Sequence, residues 1–466
     1  MTIETDIKID MMSNAMDISS VLQDQNPWWS NPNHRETRSF ASRRPTFSKL
    51  LEYAGNAHDG RALLLIGPRQ VGKTTLLLQL ADELLDREWP PGNITFFDFA
   101  DERLVATVSP REVVNARPPG LTTEHPRLLL LDEIQYAAGW ARWLKGAVDQ
   151  ARRGGSPIRF IVTGSAAASL RDGAVESGQG RWDEVPLEGL TFSEFLTLGS
   201  GSTDEPARLA AREPQAFDRY LALGGLPEHV RSSSPRETRQ RIRDDIAERA
   251  IMRDLRGAGV EIERVRRLFV HLVNGSGNEW NQSNRASDLD ADRKSLTDWL
   301  ALLESTHLLV RLERDHTSLR RAKTQLRSRP KIFAADHGLI TAFSPHPEPL
   351  EISEVLARVY EAVVFRHLRE LARENRGELS FFRLNDDLEV DFVIRYSGTA
   401  VGIEVTSSPE ARPDKLARTC EALRKAGIER KLLLHGGLTM TRASDVDIVP
   451  LHEFLLAPGK YAGSAS

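Results

Sequence analysis

The stretch from Ala62 to Leu85, ALLLIGPRQVGKTTLLLQLADELL, restricts the possible folds of this chain more than any other. An apolar run enters Gly67, and Pro68, Arg69, Gln70, Val71, Gly72, Lys73 and Thr74 complete the pattern G-x-x-x-x-G-K-T, with Thr75 behind it. The run before Gly67 reads as a buried strand and the run after Lys73 as an amphipathic helix, the setting in which this pattern cradles phosphate. Gly67 and Gly72 admit backbone conformations closed to residues with a Cβ, so successive N–H groups turn inward toward phosphate oxygens. Lys73 adds a point charge for the β and γ phosphates, and the Thr74 hydroxyl suits the shell of a magnesium ion. The helix N-terminus behind them favours an anion. ATP and Mg²⁺ are the expected cofactors, on an α/β core.

At 466 residues the chain exceeds one compact core, and ordinary domain sizes suggest about two to four units. Its 40% hydrophobic and 27% charged residues are those of a globular protein. A net charge of -4 argues against a uniformly basic nucleic-acid binder while leaving room for a local basic patch. With Cys420 as the single cysteine, neither a disulfide framework nor a cysteine zinc site forms within one chain, and a cytoplasmic location is expected. The first residues lack the continuous apolar core of a signal peptide, and no run is long enough to span a membrane.

Residues 1–45 read as an extended polar arm carrying Pro27-Trp28-Trp29. Two adjacent tryptophans are expected to dock on the protein body, since leaving both in water wastes a large apolar area. After the helix that follows Lys73, Ile94 to Ala100 reads as a second strand. RLLLLDEIQ, Arg127 to Gln135, reads as a third, ending in Asp132 and Glu133. Continuous apolar runs fit parallel strands covered on both faces, and chemistry is expected at their carboxyl ends. Asp132 is the candidate for the magnesium shell, as the acid of a Walker B motif. Glu133, one residue nearer the mouth, is the candidate for orienting the attacking water. A further strand from Ile158 ends in Thr163-Gly164-Ser165, where Thr163 and Ser165 are equal candidates for sensing the γ phosphate. Arg181 reads either as a cation that stabilises the transferring phosphoryl, within its own chain or across an interface, or as a surface arginine.

The ordered set NPWW, GPRQVGKTTLL, LLLLDEIQ, VTGSA, Gly180-Arg181 before PLEGLTFSEF, and YLALGGLPE resembles prokaryotic AAA-type ATPases that carry a C-terminal nuclease-like domain of unknown function. The resemblance implies an ATPase core at 46–200, a helical lid at 201–257, a winged-helix-like segment at 258–345 and a PD-(D/E)xK-like domain at 346–466. It also implies that Pro227, in GGLP, packs on adenine, whereas a helix-ending glycine before proline is the plainer reading. Pro235 to Arg256 reads as a long helix with a solvated or interdomain face. Leu296, Trp299, Leu300, Leu303 and Leu308 keep helical spacing. The stretch Arg314 to Lys331 is rich in Arg and Lys, as a contact to a phosphate backbone would be, or a solvated loop on an acidic neighbour.

Three strands, LSFFRL, EVDFVIRY and AVGIEVT, follow a helix bearing Tyr360 and Glu361. Glu404 and position 406 share one strand face. With Asp391 and Glu361 they resemble a nuclease constellation, and Asp391 with Glu404 form a candidate second metal site. Position 406 is Thr where the pattern has Lys, which speaks against cleavage; Lys415 is a candidate spatial substitute. The expected function is an Mg²⁺-dependent ATPase that moves attached DNA- or protein-binding domains. Two alternatives are a slowly hydrolysing nucleotide-gated switch and an ATP-dependent nuclease. An oligomer is compatible with all three.

Overall fold

The computed structural model describes the chain apart from residues 1–17, 38–41, 57–59, 105–107, 155–157, 165–179, 203, 249–260, 282–290, 316–328, 384–388, 397, 411–419, 422, 426, 444–445 and 464–466. It divides into two compact units, Met1–Leu187 and Glu188–Ser466.

The first unit is built on five parallel strands: β1 (Ala62–Ile66), β2 (Ile94–Asp98), β3 (Arg127–Asp132), β4 (Ile158–Gly164) and β5 (Trp182–Pro186). Their order is β2-β3-β4-β1-β5. The Leu-rich runs of β1 and β3 are almost wholly buried, as expected for strands covered on both faces. On one face Leu64, Leu129, Leu131 and Val162 pack with Trp140, Leu144 and Val148 of the helix Trp140–Gly154. In the sheet, the strand between β1 and β3 is β4; β2, which separates the two motifs in sequence, forms the edge.

The N-terminal arm is not extended throughout. Ile18, Val21 and Leu22 have helical spacing, and Ile18–Gln25 is a helix whose Val21 and Leu22 join the core. The tryptophans dock as expected, in the short turn Pro27–Trp29, with Trp28 fully buried. Their target is the free edge of β2. Both indole N–H groups donate to the Ile94 carbonyl, at 3.1 and 2.9 Å. The Asn26 amide donates to the Phe96 carbonyl at 2.8 Å and accepts the Phe96 N–H at 2.7 Å. Gln25 accepts the Asp98 N–H at 2.9 Å. Side chains thus supply the hydrogen bonds that a sixth strand would have made.

In the second unit, the helices Phe192–Ser200, Pro206–Arg212 and Ala216–Leu223 precede Pro235–Arg241. The long helix expected from Pro235 loses α-helical regularity at Ile242, where a π-helical stretch runs to Glu248. The helices Ile262–Asn274 and Arg293–Glu304 flank a two-stranded antiparallel ribbon of β6 (Leu309–Leu312) and β7 (Lys331–Ala334). Leu296, Trp299, Leu300 and Leu303 are buried together on one helix face, whereas Leu308 lies beyond the helix end.

The helix Ser353–Glu374 then leads into a mixed sheet of β8 (Glu378–Arg383), β9 (Glu389–Tyr396), β10 (Thr399–Val405), β11 (Arg430–His435), β12 (Thr441–Ala443) and β13 (Val446–Pro450), ordered β12-β13-β11-β10-β9-β8. At the start of this unit Glu188 packs, half-buried, against Arg366, Arg369 and Arg373 of that helix, at 3.5, 2.7 and 3.1 Å. Burial pushes the Glu188 carboxyl up, but the three guanidinium groups outweigh it and hold it below the ordinary value. Among the described residues no helix is long and apolar enough to cross a membrane.

Candidate nucleotide site

The carboxyl ends of β1, β3 and β4 carry the groups singled out in the sequence. Gly72 precedes the helix Lys73–Asp86 with φ 92°, a left-handed conformation suited to glycine. Gly67 is demanded by proximity instead: a Cβ there would lie 1.9 Å from the Leu187 carbonyl oxygen. Lys73 is buried, and its ammonium donates to the carbonyls of Gly67 at 2.9 Å and Pro68 at 2.8 Å. Behind the loop, the buried Arg44 donates to the Val71 carbonyl at 3.0 Å. Arg69 donates to the Tyr136 hydroxyl at 2.9 Å, and Gln70 takes a left-handed φ of 62°.

Thr74 and Asp132 meet, the threonine Oγ1 donating to the carboxylate at 2.6 Å. Asp132 is 1% exposed and also accepts from the Thr163 hydroxyl, whose oxygen in turn accepts the Glu133 N–H at 3.0 Å. Burial, then the Glu133 charge, push the Asp132 carboxyl up; bonds from Thr163 and Thr74 pull it down without cancelling the rise. Glu133 adopts φ 50°, uncommon outside glycine. Its carboxylate accepts from the Gln135 amide and lies 4.0 Å from the Lys73 ammonium. A buried aspartate beside a threonine hydroxyl is a hard-oxygen donor set, which fits Mg²⁺.

Thr163 is therefore joined to the acidic pair, and Ser165 lies outside the described residues. Arg181 is not brought to the loop within its own chain. Its carbonyl accepts the Ala62 N–H, at the opposite end of β1, and its guanidinium pairs with Asp149 at 3.2 Å. Pro227 belongs to the second unit, where it opens the turn Pro227–His229. The glycines before it have a local explanation: Gly225 N–H donates to the Asp336 carboxylate at 2.9 Å, and a Cβ on Gly224 would lie 2.7 Å from the same group.

One acid escaped the sequence reading. Asp98 ends β2 directly beside Asp132 in register. Burial, then Asp132 and Glu133, push its carboxyl up to about 6 against the pull of the Ala100 N–H. Two parallel apolar strands each ending in Asp were visible in the sequence; their adjacency was not.

The family model described as an AAA domain matches residues 59–196, the loop and all five strands. This part of the chain is an AAA domain. Two models described as domains of unknown function match 214–350 and 357–454. Uncharacterized proteins of Mycobacterium bovis and Mycobacterium tuberculosis are each 28% identical over 359 residues, 76% of this chain and 72% of theirs. Among solved structures, a RuvB variant of Thermotoga maritima aligns with 57% of this chain and 87% of its own, at 17% identity and TM-score 0.30. The ORC2 protein of Aeropyrum pernix aligns with 73% of this chain and 98% of its own, at 13% identity and TM-score 0.34.

The expected second site looks different. Strand β10 ends at Val405, so Thr406 lies past it, its hydroxyl turned to accept the Ser408 N–H at 3.3 Å. Lys415 lies outside the described residues. Among the described residues no group of three or more His, Cys, Asp or Glu side chains is arranged to hold a metal. The described ends of the basic stretch turn inward: Arg314 donates to the Arg383 carbonyl and Lys331 is buried against acids.

Proposed function

We propose that this chain is an Mg²⁺-dependent ATPase whose AAA domain binds ATP at Gly67 to Thr75 and uses hydrolysis to move the domains attached to it. The observation carrying this reading is the convergence of Thr74, Asp132, Thr163 and Glu133 at the mouth of the phosphate loop. In this reading the loop's N–H groups and Lys73 take the phosphates. Thr74 and Asp132 would hold magnesium, which supplies charge neutralisation of the phosphates. Glu133 orients the attacking water as a general base, and Thr163 fixes the Asp132 carboxylate and the Glu133 backbone together. Arg181 has no part in the site of its own chain and Pro227 is assigned none. Purified protein should release phosphate from ATP in a Mg²⁺-dependent reaction that Lys73→Ala abolishes. An unchanged rate in that variant would refute the reading.

One observation favours the slowly hydrolysing switch as a second reading. Glu133 is already engaged by the Gln135 amide and faces Lys73, so it starts from a restrained position. Under this reading Gln135→Ala raises turnover; an equal or lower rate counts against it. DNA or a protein partner is the proposed target of the winged-helix-like segment, but Lys331 is turned inward and takes no part in that contact.

A further inference from the structure

The acids of the C-terminal sheet surround a cation of the chain's own. Strands β9 and β10 are antiparallel with Ile403 opposite Phe392, and Asp391 and Glu404 are the next residues along each strand. Glu389 lies two residues before Asp391 on β9, and Asp391 Oδ2 accepts the Val405 N–H at 2.9 Å. Into this group β7 inserts Lys331, whose ammonium lies 2.5 Å from Glu389 and 3.8 Å from Asp391. The side chain is 5% exposed and its ammonium lies 5.2 Å from the Phe381 ring centroid. Burial lowers the lysine's proton affinity, but Asp391, Glu361 and Glu389 outweigh it and hold the group well above the ordinary lysine range. Arg383 also faces Glu389, at 3.5 Å, while pairing with Glu279 at 3.1 Å.

The insertion is anchored on both sides. Phe333, two residues on and on the same face of β7, stacks on Phe365 at 4.2 Å and lies 5.8 Å from Phe392. Beyond β6, Asp315 N–H donates to the Phe381 carbonyl at 2.6 Å and Phe381 N–H to the Glu313 carbonyl at 3.1 Å, which closes the β8 edge. Lys331 cannot leave the acids without breaking this aromatic packing.

We infer that Lys331 is the resident cation of the C-terminal acidic group, held by Glu389 and Asp391 in place of a divalent metal, so that this domain neither binds such a metal nor cleaves nucleic acid while β7 is docked. The inference is independent of the nucleotide site, which shares none of these residues.

The test uses the full chain without nucleotide, with Mn²⁺ as probe and thermal unfolding and bound-metal counting as readouts. In wild type, millimolar Mn²⁺ should give no rise in Tm and no bound ion that Asp391→Asn removes. Lys331→Met should lower Tm by several degrees, and Mn²⁺ should recover part of the loss because the acids then lack their ammonium. Adding Glu389→Gln to Lys331→Met should restore stability without metal, a comparison that holds even if the single variant fails to fold. The inference is overturned if wild type binds Mn²⁺ in an Asp391-dependent way or cuts plasmid in an Asp391-dependent way. It is equally overturned if the double variant is no more stable than Lys331→Met.

Discussion

Replacing Asn26 by Ala isolates what the N-terminal arm does for the five-stranded core. Asn26 is fully buried, and its amide satisfies both the N–H and the carbonyl of Phe96 on the free edge of β2. It also donates to the Leu22 carbonyl at 2.7 Å, at the end of the arm helix. Alanine leaves two buried backbone groups of β2 without partners, at about 1–3 kcal/mol each. Water entering the space freed by the amide recovers part of that, which leaves an expected loss of about 3 kcal/mol. For a unit of this size each kcal/mol shifts the midpoint by roughly 2–4 °C, so the transition should fall by about 6–12 °C. Trp28→Phe is the internal contrast: the Ile94 carbonyl keeps the Trp29 donor at 2.9 Å, so the lost bond is worth about 0.5–1.5 kcal/mol. Calorimetry gives the midpoints, and hydrogen exchange over residues 94–98 reports whether the β2 edge opens. A loss below about 1 kcal/mol for Asn26→Ala, or one equal to that of Trp28→Phe, would refute the reasoning that side chains complete this sheet.

Two further outcomes follow from half-buried carboxyls. Asp98, pushed up to about 6 from an ordinary 3.8, keeps its proton in the fold where the unfolded chain has lost it. Its contribution is therefore favourable at low pH and is lost as pH rises from about 4 to 6; in metal-free protein at neutral pH, Asp98→Asn should raise Tm, with the gain vanishing in acid. Glu188 has the opposite sign. Held below its ordinary 4.5, it contributes stability above that pH which is lost as pH falls through its folded value. Glu188→Gln should destabilise the second unit by about 3–5 kcal/mol at neutral pH and flatten its acid-unfolding limb, measured by urea midpoints across pH.

The parts legible in the sequence were those written in contiguous residues. The phosphate loop, the apolar strands and the Asp132-Glu133 pair each fit in one short window, and their chemistry dictates the residue types. The tryptophans also announced their docking, because so much apolar surface has few other outlets. The arm helix did not, since Ile18, Val21 and Leu22 are too few to stand out in a polar stretch. Asp98 and Lys331 escaped for a different reason: each matters through a neighbour set by strand register or tertiary packing. The Arg314 to Lys331 stretch was read by composition, yet its two described ends serve internal contacts. Thr406 follows the last residue of β10, and its N–H still donates to the Leu434 carbonyl of β11 at 2.8 Å.

The central claim, that the loop and the Asp132-Glu133 pair form one hydrolytic site, is tested most directly by single-turnover hydrolysis of prebound ATP in Glu133→Gln. The account predicts that the variant binds ATP as wild type does and hydrolyses it about 10²–10⁴-fold more slowly, the usual worth of a positioned general base. Hydrolysis within about threefold of wild type would contradict it and remove Glu133 from the reaction.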